Sequence, residues 1–220
     1  MRGTMLGMNR EWIGNGNAGV DAAAGKDFPM VVLSGRTMPQ RMRSMFVQVT
    51  KSLLDPSTVR YSSEAVQGCP ARDDRCEVLG VRSWIHRNMT YRGEIPGFDR
   101  FQTLQASKAL GSADCDCASI AGLTLLSDKG YTAGIRIVMY DEHDGHGYNI
   151  FRSPRMAQPA DQYTVPLDLS DDRLEPGDEV DRSLLVSIED YWYDPLAWIA
   201  WMRSGMSLDH APMPVPSTAT

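Results

Sequence analysis

The chain has 220 residues and a mass of 24.4 kDa; at roughly 150 residues per domain that is one to two domains, enough to bury a sizeable core without disulfide or zinc staples. With 42% apolar, 8% aromatic and 23% charged residues it lies in the globular range, which excludes wholesale disorder and collagen-like structure. Its 22 basic residues against 28 acidic ones leave a net charge of -6 and a pI near 5.2, no electrostatic footprint for a nucleic-acid backbone, so DNA or RNA is not expected as the partner.

Residues 1–36 carry six glycines before position 26 and show no sustained apolar period. They read as a flexible arm, either a disordered terminus or a strap that orders against a neighbouring subunit. Thr37 and Pro39 open a helix in which Met42, Met45, Phe46, Val49 and Leu53 recur at helical spacing until Asp55-Pro56 stops it. Asp73 or Asp74 caps a second helix, with Val78, Val81, Ile85 and Met89 on one face, ending near Tyr91. A loop rich in turn formers (Gly93, Pro96, Gly97) leads through Phe101 and Leu104 to Gly111. Asp114 is placed to cap a third helix from Cys115 to Lys129, with Ala118, Ile120, Ala121, Leu125 and Leu126 as a wide apolar face and Gly130 at its left-handed end.

After that helix the apolar period changes from about 3.6 to about 2. Residues 134–140, 146–152 and 162–167 read as three strands, with 141–145 as the first turn. Helices followed by an antiparallel sheet define an α+β domain and not alternating βαβ units. A last helix runs from Asp194 to Arg203, with Pro195 at its first position and Gly205 behind it. The run Trp192 to Met202 is the most apolar of the chain, but it is short and carries Asp194 and Pro195, far from the roughly 20 apolar residues of a bilayer span. Trp192, Trp198 and Trp201, with Leu196, Ile199 and Met202, make this helix apolar nearly all round, so it is buried by its own domain or by a partner. The domain therefore covers 37–205, and 206–220 is a tail rich in Pro, Ser and Ala.

Cys115 follows the expected cap, which puts its sulfur at a helix N-terminus, where unpaired amides and the macrodipole favour a thiolate. His146 opens the second strand and suits the base that takes the thiol proton and returns it to a leaving amine. Asp168 ends the third strand, where its carboxylate can accept from the other imidazole nitrogen and hold the tautomer. Asp194 is the alternative acid. Trp84 and Gln105 are candidate side-chain donors to an oxyanion; His86 and His210 read as structural or inert. The acidic run from Asp168 to Asp181 reads as a solvated loop.

These residues resemble a family. Ala113-Asp114-Cys115-Asp116-Cys117-Ala118-Ser119-Ile120-Ala121, then Gly130-Tyr131, His146-Gly147-Tyr148-Asn149-Ile150 and Val165-Pro166-Leu167-Asp168 are similar in order and spacing to the transglutaminase-like superfamily. Upstream, the segment from Ile85 to Tyr91 and the pair Thr103-Leu104 extend the likeness, which covers about 73–170. Two positions depart: Ala113 stands where the family usually has glycine, and Cys117 where a second acidic residue is usual. The resemblance implies a papain-like α+β core, with Cys115, His146 and Asp168 as nucleophile, base and orienting acid of a peptidase, amidase or crosslinking acyltransferase that works through a thioester. It implies a protein or peptide substrate and no organic cofactor. In style the chain also resembles small members encoded among bacteriophage head and tail genes. That likeness implies a virion or assembly role, with the arm and the aromatic helix contacting other subunits.

Two other readings stay open. Cys115 and Cys117 with His143 and His146 contain enough sulfur and nitrogen for zinc, at a spacing unlike structural zinc knuckles. Alternatively the same fold is a catalytically idle scaffold in an assembly. Absence of a secretory leader and the small cysteine count suggest synthesis in a reducing cytoplasm, where Cys69 and Cys76 are expected as buried or partly buried thiols, a local disulfide being the alternative under oxidation.

Overall fold

The computed structural model describes residues 30–33, 37–93, 99–141, 145–153, 155–156, 164–171, 173–179, 181–214 and 216–218. Helix α1 (Met38–Leu54) starts where expected, the Thr37 amide donating to Gln40 Oε1 at 3.1 Å, and it buries Met42, Met45, Phe46 and Val49. Asp55-Pro56 ends it, but the helix restarts at once as α2 (Ser57–Ala65). The Asp55 carboxylate accepts from the Ser57 amide at 2.8 Å and from its hydroxyl at 2.6 Å, so the breaker doubles as a cap.

Helix α3 (Asp74–Asn88) is capped by Asp73, which accepts from the Cys76 amide at 3.0 Å. The expectation of free thiols at Cys69 and Cys76 is overturned: they form a disulfide with Cα atoms 5.6 Å apart. The turn through Gly68, whose φ is +86°, folds the chain back onto the first turn of α3 and brings both residues within bridging distance. α3 stops at Asn88, short of Tyr91, because β2 (Thr90–Tyr91) pairs in parallel with β4 (Ser112–Ala113). Strand β1 (Met30–Leu33) pairs antiparallel with β3 (Asp99–Gln102), so part of the segment read as an arm belongs to the domain; the rest of it lies outside the described residues. Helix α4 (Leu104–Leu110) follows, capped by Thr103 and closed by Gly111 at φ +65°.

Helix α5 (Cys115–Asp128) begins and ends within a residue of its expected bounds and buries every residue from 116 to 126. The expected strands are β5 (Ala133–Met139), β6 (Gly145–Arg152) and β7 (Thr164–Leu167); most of the turn between β5 and β6, and residues 162 and 163, lie outside the described residues. They join β8 (Ser187–Trp192) and β9 (Pro216–Thr218) in one antiparallel sheet of order β7-β6-β5-β8-β9. β8 escapes a pattern search because its inward position holds a charge: Asp190 is buried and accepts a bidentate pair from Arg136 of β5, at 2.6 and 2.8 Å.

The fold is thus α+β, helices on an antiparallel sheet. Helix α6 (Pro195–Ser204) lies against α1, with Trp198 edge-on to Phe46 at 5.6 Å and both Trp198 and Trp201 buried. Leu196 on its outer side is 81% exposed. The segment read as a tail also packs: Ala211 is buried, Arg43 Nη1 donates to the Leu208 carbonyl at 3.3 Å, and β9 extends the sheet. Among the described residues no helix is long and apolar enough to cross a membrane.

α5 meets β6 at glycine. A Cβ on Gly122 would lie 2.1 Å from Leu169 Cδ1 and 2.2 Å from Asn149 Oδ1. Gly122→Val should therefore cost about 2 kcal/mol or more by overpacking, read as a lower Tm in thermal unfolding; an unchanged Tm would show that the helix is free to move off the sheet.

Candidate active site

Asp114 sets the start of α5. It is buried, and its Oδ1 accepts from the Cys117 amide at 2.7 Å, leaving Cys115 as the first helical residue. Parallel pairing of Tyr91 with Ala113 fixes the two residues leading into it. β6 is tied to the helix by Ser119 Oγ, which donates to the Gly147 carbonyl at 3.0 Å, and by Asn149 Nδ2, which donates to the Ser119 carbonyl at 2.9 Å. Space at Gly147 is tight, since a Cβ there would sit 3.2 Å from both Asp116 Oδ1 and Ile137 Cδ1. Its backbone amide acts on the Cys115 sulfur, and His146 is its neighbour in sequence.

His146 and Asp168 are brought together. Nε2 lies 2.5 Å from Asp168 Oδ2, and because a carboxylate only accepts, Nε2 carries the proton and Nδ1 is the nitrogen left for proton exchange. Asp168 is buried; its other oxygen accepts from the Ser170 amide at 2.9 Å, the Ser170 hydroxyl at 2.8 Å and the Asp171 amide at 3.2 Å. Burial works against both charges, but the mutual bond outweighs it: His146 is raised above its ordinary 6.5 and Asp168 held below 3.8.

Cys115 departs from the expectation of a helix-start thiolate. Burial first, then the Asp116 and Asp114 charges, push its thiol well above the ordinary value of 9, and the Gly147 and Asp116 amides offset this in part. The thiol's hydrogen-bond partner is Asp116 Oδ1 at 3.9 Å, and among the described residues no hydrogen bond joins it to His146. Asp116 in turn forms an ion pair with Arg41 of α1, at 3.5 Å.

Tyr91 is the residue sequence reasoning passed over. It ends the segment quoted in the family resemblance, and its phenol feels the charges of Cys115, Asp114, Asp116 and Asp168, which with burial raise its pKa. The two suggested oxyanion donors are placed elsewhere. Trp84 Nε1 donates to Glu64 Oε2 at 3.3 Å, and Gln105 Nε2 donates to Thr58 Oγ1 at 2.8 Å. Asp194 caps α6, accepting from the Leu196 and Ala197 amides, and is not an acid partner of His146. Of the zinc reading, His143 lies outside the described residues, and the buried Cys117 thiol donates to the Arg100 carbonyl at 3.0 Å. No group of three or more His, Cys, Asp or Glu among the described residues is placed to share a metal ion.

No family model matches the chain, and no curated protein matches it. Among solved structures it is similar to a crystal structure of a TGase, with 15% identity and a TM-score of 0.37, over 67% of this chain and 36% of that one. The chain spans little more than a third of that structure's length, and a likeness this loose carries no argument about activity.

The His146–Asp168 pair stabilises the fold fully between the ordinary values of the two groups, 3.8 and 6.5. Below that window the contribution is lost as Asp168 is protonated through its lowered value, and above it as His146 loses its charge through its raised value. The Tm difference between the unaltered chain and Asp168→Asn should be widest inside the window and narrow on the alkaline side; a difference independent of pH would rule out the charged pair. Asp116→Asn removes a negative charge beside the thiol and should speed alkylation of Cys115 by iodoacetamide severalfold near neutral pH. An unchanged rate would mean that burial and the Asp114 charge hold the proton without Asp116.

Proposed function

We propose that the protein is a transglutaminase-like cysteine acyl-transfer enzyme on a papain-like core, acting on amide bonds of a protein or peptide through a thioester on Cys115. The observation that carries this reading is the His146–Asp168 pair, 2.5 Å apart with its carboxylate buried, one residue from the Gly147 amide that faces the Cys115 sulfur. The order and spacing of Cys115, His146 and Asp168 in the chain add the family resemblance to that geometry.

In this reading Cys115 waits as a thiol. When a substrate amide enters, Nδ1 of His146 takes the thiol proton while sulfur bonds to the carbonyl carbon. Charge moves to the carbonyl oxygen, where the Cys115 amide at the helix start stabilises it. The C–N bond then breaks, and the imidazolium returns the proton to the leaving ammonia or amine. Water or a second amine attacks the thioester, the C–S bond breaks, and Cys115 recovers its proton. Asp168 holds Nε2–H throughout and stabilises the imidazolium in each half-reaction.

A second reading rests on the raised Cys115 thiol and its contact with Asp116 rather than His146: the site is idle and the chain is a structural component, such as a phage virion or assembly protein. In such an assembly α6 would present Leu196, since Trp198 and Trp201 face its own domain. One experiment separates the two. Incubated with glutamine-containing peptides and examined by intact mass spectrometry, an enzyme forms an acyl adduct on Cys115 that hydroxylamine removes. The adduct should be lost in Cys115→Ala and reduced at least about a hundredfold in rate in His146→Ala, the scale of general-base catalysis. Absence of any adduct or turnover over a panel of amides would leave the structural reading.

A further inference from the structure

Beside the catalytic pair lies a cavity of about 370 Å³, at the lower end of the range of small-ligand pockets and suited to one side chain rather than a helix. Its inner wall is apolar and buried: Ile85 and Met89 from the end of α3, Ala113 from β4, Ala118 from α5 and Leu169. Its rim is polar and more exposed, formed by His86, Thr90, Tyr91 and Ser170. Two of these rim groups connect the cavity to the site. Ser170 donates its hydroxyl to Asp168 at 2.8 Å, and Tyr91 pairs with Ala113, two residues before Cys115. Ala113 and Ala118 flank Cys115 in the chain, two residues before it and three after, so the inner wall continues the helix turn that carries the sulfur.

We propose that this cavity is the pocket for the acyl part of the substrate and selects an uncharged apolar side chain next to the amide that reacts. The proposal rests on the reading of Cys115 as nucleophile and adds the substrate class. Three facts carry it. The wall residues are small where α5 and β4 approach, which leaves the space open. Two polar rim groups are tied back: His86 Nε2–H donates to the Leu169 carbonyl at 3.0 Å, and the Ser170 hydroxyl is held by Asp168. No Lys or Arg lines the cavity among the described residues, while Asp114, Asp116 and Asp168 lie around its Tyr91 side, which disfavours an acidic side chain.

The test reads binding without thiol chemistry. The full chain carrying Cys115→Ala, with ¹³C-labelled Ala, Ile, Leu and Met methyls, is titrated with N-acetyl-leucinamide and with N-acetyl-aspartic acid amide. The leucine compound should shift the methyls of Ile85, Met89, Ala113, Ala118 and Leu169 saturably and bind about tenfold tighter than the aspartic one, the discrimination expected of an apolar pocket. Ala118→Met or, independently, Ala113→Val should fill the space and abolish those shifts. Equal binding of the two compounds, shifts elsewhere, or no saturable shift would overturn the pocket. Failure here leaves the thioester assay untouched, and failure of that assay leaves this titration readable, so the two ideas fall separately.

Discussion

The close approach of α5 to β6 is the constraint on which the site depends. Cys115 and His146 belong to different elements, and nothing along the chain brings them together. What places the Cys115 sulfur against the Gly147 amide, next to His146, is the packing of α5 on β6, where Gly122 leaves room for the Leu169 and Asn149 side chains. Two hydrogen bonds then cross the gap, from the Ser119 hydroxyl to the Gly147 carbonyl and from Asn149 Nδ2 to the Ser119 carbonyl, and they set the register of helix against strand. A helix standing further off would carry Cys115 away from the Gly147 amide.

The face of the sheet that carries His146 is itself braced, since Tyr148 follows it two residues along β6 and Arg136 is the register partner of Tyr148. Arg136 on β5 pairs with Asp190 of β8 and, at 2.5 Å, with Glu179, whose carboxylate also accepts from Tyr148 at 3.2 Å. The Tyr148 ring lies 5.7 Å from the His146 ring. Arg82 of α3 reaches Glu175 at 3.0 Å, so the segment after Asp168 is clasped at two points, Glu175 and Glu179. The acid partner thus precedes a solvent-facing segment that ion pairs anchor to the domain.

Electrostatics at the sulfur runs against simple helix-dipole reasoning. A helix start favours a thiolate, but here the partial burial of Cys115 and the charges of Asp116 and Asp114 act the other way. Together these outweigh the amides, and the thiol keeps its proton. The chemistry proposed for the site therefore needs His146 as a base at the moment of reaction and not a stored thiolate-imidazolium pair, which is consistent with an Asp168 bond that raises the basicity of the imidazole.

Local signals were legible in the sequence alone. Caps at Asp73 and Asp114, the left-handed Gly130, the apolar spacing of α1 and α5 and the alternation of β5 and β6 follow from chemistry within a few residues, and each element formed near its expected bounds. The His146–Asp168 contact, 22 residues apart in the chain, is instead a product of the pairing of β6 with β7. Tertiary structure alone decided the rest. β8 was hidden because its buried Asp190 makes sense only beside Arg136, more than fifty residues earlier. Cys69 and Cys76 became a disulfide through a turn whose closure depends on where α3 begins. Trp84 and Gln105 were drawn to other partners, and the proton on Cys115 was settled by burial and by charges gathered from neighbouring elements. Propensity and periodicity act over a turn of chain, whereas desolvation and ion pairing depend on which surfaces meet, and that is decided when α5 closes on β6.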